Sequence, residues 1–142
     1  MTERGEQNWY PISRIGWFTD HIREGIDVIR GQIDLFAPAL DEPYRLDDDT
    51  VNHCIRVYEN QREDLVLFRN QADRWQRELG TTEQRTAVNT YVAAIDELEK
   101  LTGDVLMMCA TLSEQTIEKL MAKSDEEAGR EALMRLVRDG RI

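Results

Sequence analysis

Apolar residues recurring at steps of three and four, sustained over three separate stretches, constrain this chain more than any other feature. The first series is Ile15, Phe18, Ile22, Ile26, Ile29, Ile33 and Phe36, and it stops at Pro38. The second is Val51, Ile55, Tyr58, Leu65, Phe68, Ala72, Trp75 and Leu79, with Gln61 or Arg62 taking one stripe position. The third is Val88, Val92, Ile95, Leu98, Thr102, Val105, Cys109, Leu112, Thr116 and Leu120. Such steps align side chains along one face of an α-helix, and proline ends a helix because it lacks the backbone donor. No segment alternates with the period of two that a half-buried strand needs. The pattern predicts an all-α chain, residues 1–142 in a single domain, with helices over about 12–37, 49–79, 82–123 and 125–138.

Connection lengths predict how these helices meet. Gly80 is placed to cap the second helix, and Gly80, Thr81 and Thr82 leave room only for a tight antiparallel hairpin. Residues then pair symmetrically about that turn, Leu65 level with Asp96 and Val51 with Ala110. The longer loop from Pro38 to Leu46 also favours an antiparallel return, which brings Trp9 and Trp17 toward Trp75. The third series is long enough for ~60 Å of helix, with Gly103 as a candidate bend, and it overhangs its partners beyond Leu112. Ser124 followed by Glu127 matches a capping box, so a short C-terminal helix is expected to start there and stop before Gly140. Folded back, it would cover the overhang with Ala128, Ala132, Leu133, Leu136 and Val137. Arg130, Arg135, Arg138 and Arg141 would then approach Asp47, Asp48 and Asp49. The expected fold is an antiparallel bundle of three long helices plus that short one.

The segment RLDDDTVNHC, residues 45–54, raises a chemical question, because three aspartates precede a histidine and a cysteine. Helix initiation accounts for the acids. An aspartate before an apolar stripe supplies an N-cap, and further negative charge favours the positive end of the helix dipole. His53 lies beside the stripe and Cys54 at its apolar edge, and a metal site would need ligands from other helices.

Charge and cysteine usage narrow the partners. Asp and Glu number 28 against 18 Lys and Arg, a formal net charge of -10. That charge repels nucleic-acid phosphates and anionic membranes, and no basic run offsets it. The first residues contain acids and no apolar run, unlike a secretory signal, and VLMMCATLS is too short to span a bilayer. Cys54 and Cys109 fit no metal-ligand spacing and are expected as free buried thiols. A cytoplasmic protein is the expectation.

Catalytic motifs are sparse. Two histidines and no E-x-x-H argue against ferritin-type and hemerythrin-like iron sites, and G-x-S-x-G, H-E-x-x-H, P-loop and G-x-G-x-x-G are absent. The one candidate chemistry is a carboxylate cluster holding magnesium for pyrophosphate hydrolysis on a nucleotide. In the register above Glu24 and Asp27 come level with Glu59 and Glu63, with Asp96, Glu97, Glu99 and Asp104 near in height. Most of these lie off the apolar stripes, where acids ordinarily face solvent. Met107 and Met108 suit core packing better than a soft metal. Gln61, Thr102 and Thr116 interrupt apolar stripes, and buried polar groups that find one another can fix register.

The other class is a binding or self-assembling protein without a cofactor. Trp17, Val28 and Leu35 flank the main stripe of the first helix, more apolar surface than a three-helix core uses. They are the candidate interface, with a second copy of the chain or another helical protein as the partner and a homodimer as the expected state.

Overall fold

The computed structural model describes residues 9–42 and 45–140. Among them four α-helices and no strand are present: α1 Ile15–Phe36, α2 Asp48–Arg77, α3 Thr82–Ser113 and α4 Ile117–Arg138. A 3-10 turn, Ala37–Leu40, follows α1 where Pro38 ends the α-helical ladder. Asp47 is the N-cap of α2, its carboxylate accepting from the backbone N–H of Thr50 at 2.8 Å, with Asp48 and Asp49 in the first turn. The aspartate run therefore starts a helix, as its position before Val51 predicts.

The α2–α3 turn is held differently from the expected glycine cap. Thr81 and Gln84 form a capping box at the start of α3, and Gly80 donates its N–H to the Gln84 carboxamide at 2.7 Å. Gly80 has no positive φ; Gly140 alone among the described residues does, at 72°, just past the end of α4. That conformation is cheap only for glycine and ends α4 where the sequence places a stop.

The antiparallel register holds along α2 and α3. Tyr91 donates to the Phe68 carbonyl, Gln61 to the Thr102 hydroxyl at 2.7 Å, and the sulfurs of Cys54 and Cys109 lie 3.2 Å apart. Arg69 spans the outside of the pair to Asp96 and Glu99. Such exposed pairs contribute only about 0–1 kcal/mol each, so apolar packing sets the register. α1 runs parallel to α3, with Phe18 against Tyr91 and Gly25 against Leu98. α3 unites the fold, since both α1 and α2 pack their backbones on it. α1 and α2 pack on each other far less than on α3, and their ring contacts place Phe18 and His21 against Phe68 and Phe18 against Trp75.

Trp75 is fully buried at the end where α1 begins. Its ring packs on Phe18 and Tyr91, and its indole N–H donates to the Tyr10 carbonyl at 2.8 Å. Gln71 completes the clamp, accepting from the Tyr10 N–H and donating to the Tyr10 carbonyl. The sequence brings Trp9 and Trp17 toward Trp75, but the residues from the start of the chain that touch it are Tyr10 and Phe18. Trp9 lies under the Arg74 guanidinium instead.

The C-terminal third departs from expectation. α3 ends at Ser113 rather than near Lys123, so it has no overhang, and Leu112 is level with Val51. The break falls at Glu114–Thr116, where Thr116 caps α4 by accepting from the Lys119 N–H. Ser124 and Glu127, read as a capping box, lie inside α4, which is as long as α1 at 22 residues. α4 does not fold back: none of its residues is buried, including Ala128, Ala132, Leu133, Leu136 and Val137.

Among the described residues, α4 is fastened at its root. Buried Thr116 donates to the Asp48 carboxylate at 2.7 Å, Ile117 N–H donates to the Leu46 carbonyl at 3.0 Å, and Asp48 N–H donates to the Glu118 carboxylate. Lys119 pairs with Asp48 at 3.2 Å. These donors hold the Asp48 carboxyl below the usual carboxylate range, Thr116 first and Lys119 second. Arg130, Arg135 and Arg138 do not reach the aspartates, because Arg130 lies ~16 Å further along the helix axis than Lys119. Arg141 is outside the described residues.

Candidate functional site

A groove opens where α1 and α2 are held apart by α3. One hollow of about 420 Å³ is walled on α1 by His21, Glu24 and Val28 and on α2 by Val57, Asn60 and Asp64, with Leu98 of α3 among its lining. A second, of about 310 Å³, continues it toward the aromatic end between Trp17 and Leu67, sharing His21 and Phe68 with the first. Gly25 lines the groove where a Cβ would come to 3.6 Å from Leu98, so α1 and α3 approach closely along this wall.

Residues along the lips have a defined spacing. On α1 they are Trp17, His21, Glu24 and Val28, with Leu35 one heptad beyond Val28, and on α2 Val57, Asn60, Asp64, Leu67 and Gln71. Alternating steps of three and four residues are those of a coiled-coil seam, a strip from which a further helix can be packed. The three residues singled out from the sequence lie on this strip. Trp17 is 62% exposed, Val28 68% and Leu35 67%. Trp17 and Val28 line the groove and Leu35 prolongs their face toward the end of α1. The Trp17 ring stacks on His21 and meets Phe18 edge-on, so its position is set by neighbours although one face is open.

The four carboxylates of the alternative chemistry are not gathered. Glu24 lines the groove opposite Asp64, whereas Asp27, Glu59 and Glu63 are exposed and outside its lining. Among the described residues no group of three or more His, Cys, Asp or Glu is placed to hold a metal ion. On α3, Asp96 and Glu99 engage Arg69, Glu97 engages Arg30, and Asp104 lies by Lys100, all in exposed ion pairs. His53 is exposed. Met107 is 73% exposed on the outside of α3 and Met108 packs against the core, so only one of the two fills the interior.

The buried polar residues have specific uses. Gln61 and Thr102 bond each other, and Thr102 also donates to the Leu98 carbonyl at 2.7 Å. Thr116 meets Asp48 instead, which no local pattern announces. The facing of Cys54 and Cys109 was legible in principle, since their positions lie almost symmetrically about the α2–α3 turn. Both are free and buried, and their shared hydrogen bond, then burial, pushes the Cys54 thiol far up.

No helix among the described residues is long and apolar enough to cross a membrane. The groove is an open, partly apolar cleft with two carboxylates on its walls, suited to packing a helix rather than to enclosing a small molecule. Compared with known protein families, curated proteins and solved structures, the chain matches none of them.

Proposed function

We propose that this chain acts by protein contact, as a homodimer assembled through the strip of α1 that carries Trp17, Val28 and Leu35. The observation behind the proposal is that three large apolar side chains, each about two-thirds exposed, share one heptad-spaced face beside an open groove. A second copy would bury the same strip twice through a two-fold axis. Complete burial of such a side chain contributes roughly 1.5–3 kcal/mol. With two thirds of each side chain still to be covered, two copies gain roughly 6–12 kcal/mol gross. Association costs roughly 4–15 kcal/mol, so this strip alone reaches the free energy of a micromolar dimer, about 8 kcal/mol, at the favourable end of both ranges, and further contact between the copies adds to it. The magnesium-dependent reading has no observation in its favour.

Sedimentation equilibrium of the full chain at micromolar concentration tests the proposal. The expected mass is twice the 16.6 kDa of the monomer, falling to 16.6 kDa for Val28→Glu. Val28 is exposed, so the variant keeps its core. A wild-type chain that sediments as a monomer refutes the reading.

A further inference from the structure

Two surfaces lack cover among the described residues of the single copy, and they match. One is the α1/α2 groove. The other is α4, on which Ile117, Met121, Ala128, Ala132 and Leu136 share a face within about 100°, with Asp125 and Arg135 in the same arc, and none is buried. A helix of this length with no packed face is marginal in water, because helical stability in proteins comes mainly from tertiary contact. On the reading that the chain self-associates, we infer that α4 of each copy lies in the α1/α2 groove of the other. The exchange completes two four-helix bundles.

The chain's own α4 does not fill its groove: none of its residues is buried and none lines the groove. The four contacts of Thr116, Ile117, Glu118 and Lys119 with Leu46 and Asp48 hold its root at the start of α2. Length is sufficient. The 22 residues of α4 extend ~33 Å, while the strip from Trp17 to Leu35 extends ~27 Å.

Charge favours the same occupant. Within α4, Lys119, Lys123, Arg130, Arg135 and Arg138 balance Glu118, Asp125, Glu126, Glu127 and Glu131. The net charge of -10 therefore belongs to the rest of the chain. The distal half of α4 carries Arg130, Arg135 and Arg138 against Glu131 alone, and the groove presents Glu24 and Asp64. A basic arm meets an acidic cleft, an arrangement that favours this pairing over arm-to-arm contact. Ala128 and Ala132 leave the arm slim where Trp17 and Val28 are bulky. Each copy gives one arm and receives one, so the assembly closes at two.

The test uses three full-length proteins: wild type, Val28→Glu in the groove, and the double variant Ala132→Glu with Leu136→Glu in the arm. All the altered side chains are exposed in the single copy, and circular dichroism checks that the helices persist. Light scattering after size exclusion should give a dimer for wild type and a monomer for each variant alone. An equimolar mixture should recover a heterodimer, weaker than wild type, because one intact arm still finds one intact groove. An arm variant that stays dimeric while Val28→Glu is monomeric overturns the exchange and leaves the α1 interface standing. Two monomeric variants whose mixture does not associate also overturn the exchange. A wild-type monomer, or a dimeric Val28→Glu, overturns both readings.

Discussion

Oxidation of Cys54 and Cys109 tests the helix register at the centre of the fold. The two sulfurs lie 3.2 Å apart between α2 and α3, so closing to a disulfide length of about 2.05 Å needs only a small side-chain movement. The bond would close a loop of 55 residues. In the chain-entropy treatment such a loop removes about 14 cal/mol/K from the unfolded ensemble, or about 4 kcal/mol at 25 °C. For a chain of this size that corresponds to a rise in melting temperature of about 12 °C. Because both thiols are buried, oxidation is best done during refolding from denaturant in a glutathione buffer, followed by thiol titration of the denatured product. Melting curves of the oxidised and reduced protein at one concentration then give the difference, with Cys54→Ser as the control that cannot close. An oxidised chain that melts at or below the reduced one would falsify the pairing of these positions across the α2–α3 interface. So would a product whose cysteines join only between copies.

Thr102→Val should cost about 1–3 kcal/mol, because Gln61 loses its acceptor in a partly buried position; Gln61→Leu combined with Thr102→Val should restore much of that loss, read from urea melts of the four combinations. The Asp48 tie is pH-dependent in a direction set by its lowered pKa. Its contribution is present above the ordinary carboxylate value of 3.8 and is lost as pH falls through the lowered one. Acidification below that value should therefore loosen residues 116–119, seen as amide exchange faster than at neutral pH once intrinsic rates are corrected for, and Asp48→Asn should show the same loosening at pH 7.

The helical periodicities made α1, α2 and their register with α3 legible, because those contacts repeat along whole stripes and each residue confirms the next. The end of α3 was not legible. The apolar series continues without a break through Thr116 and Leu120, and neither glycine nor proline marks the interruption. What ends the helix is tertiary: Thr116 caps α4 while its hydroxyl donates to Asp48, which lies 68 positions away. Ser124 and Glu127 have the spacing of a cap but no chain reversal to serve. Reading 82–123 as one helix created an overhang, and the overhang created a task for α4 that the structure does not contain. The groove strip was partly legible. Trp17, Val28 and Leu35 stood out as surplus apolar surface on α1, but the opposing lip on α2 depends on how far α3 separates the two helices, which no stripe encodes.

Because α3 is the helix on which both α1 and α2 pack, its buried face serves two neighbours: Leu98 faces Gly25 on α1, Thr102 bonds Gln61 on α2, and Tyr91 meets Phe18 on α1 and Phe68 and Trp75 on α2. A change of shape at Tyr91 that suits one side leaves the other mismatched. Drift in this chain is therefore channelled. The inner arc of α3 is the part least free to vary, while exposed positions of α1 and α2 away from the groove can exchange residues one at a time.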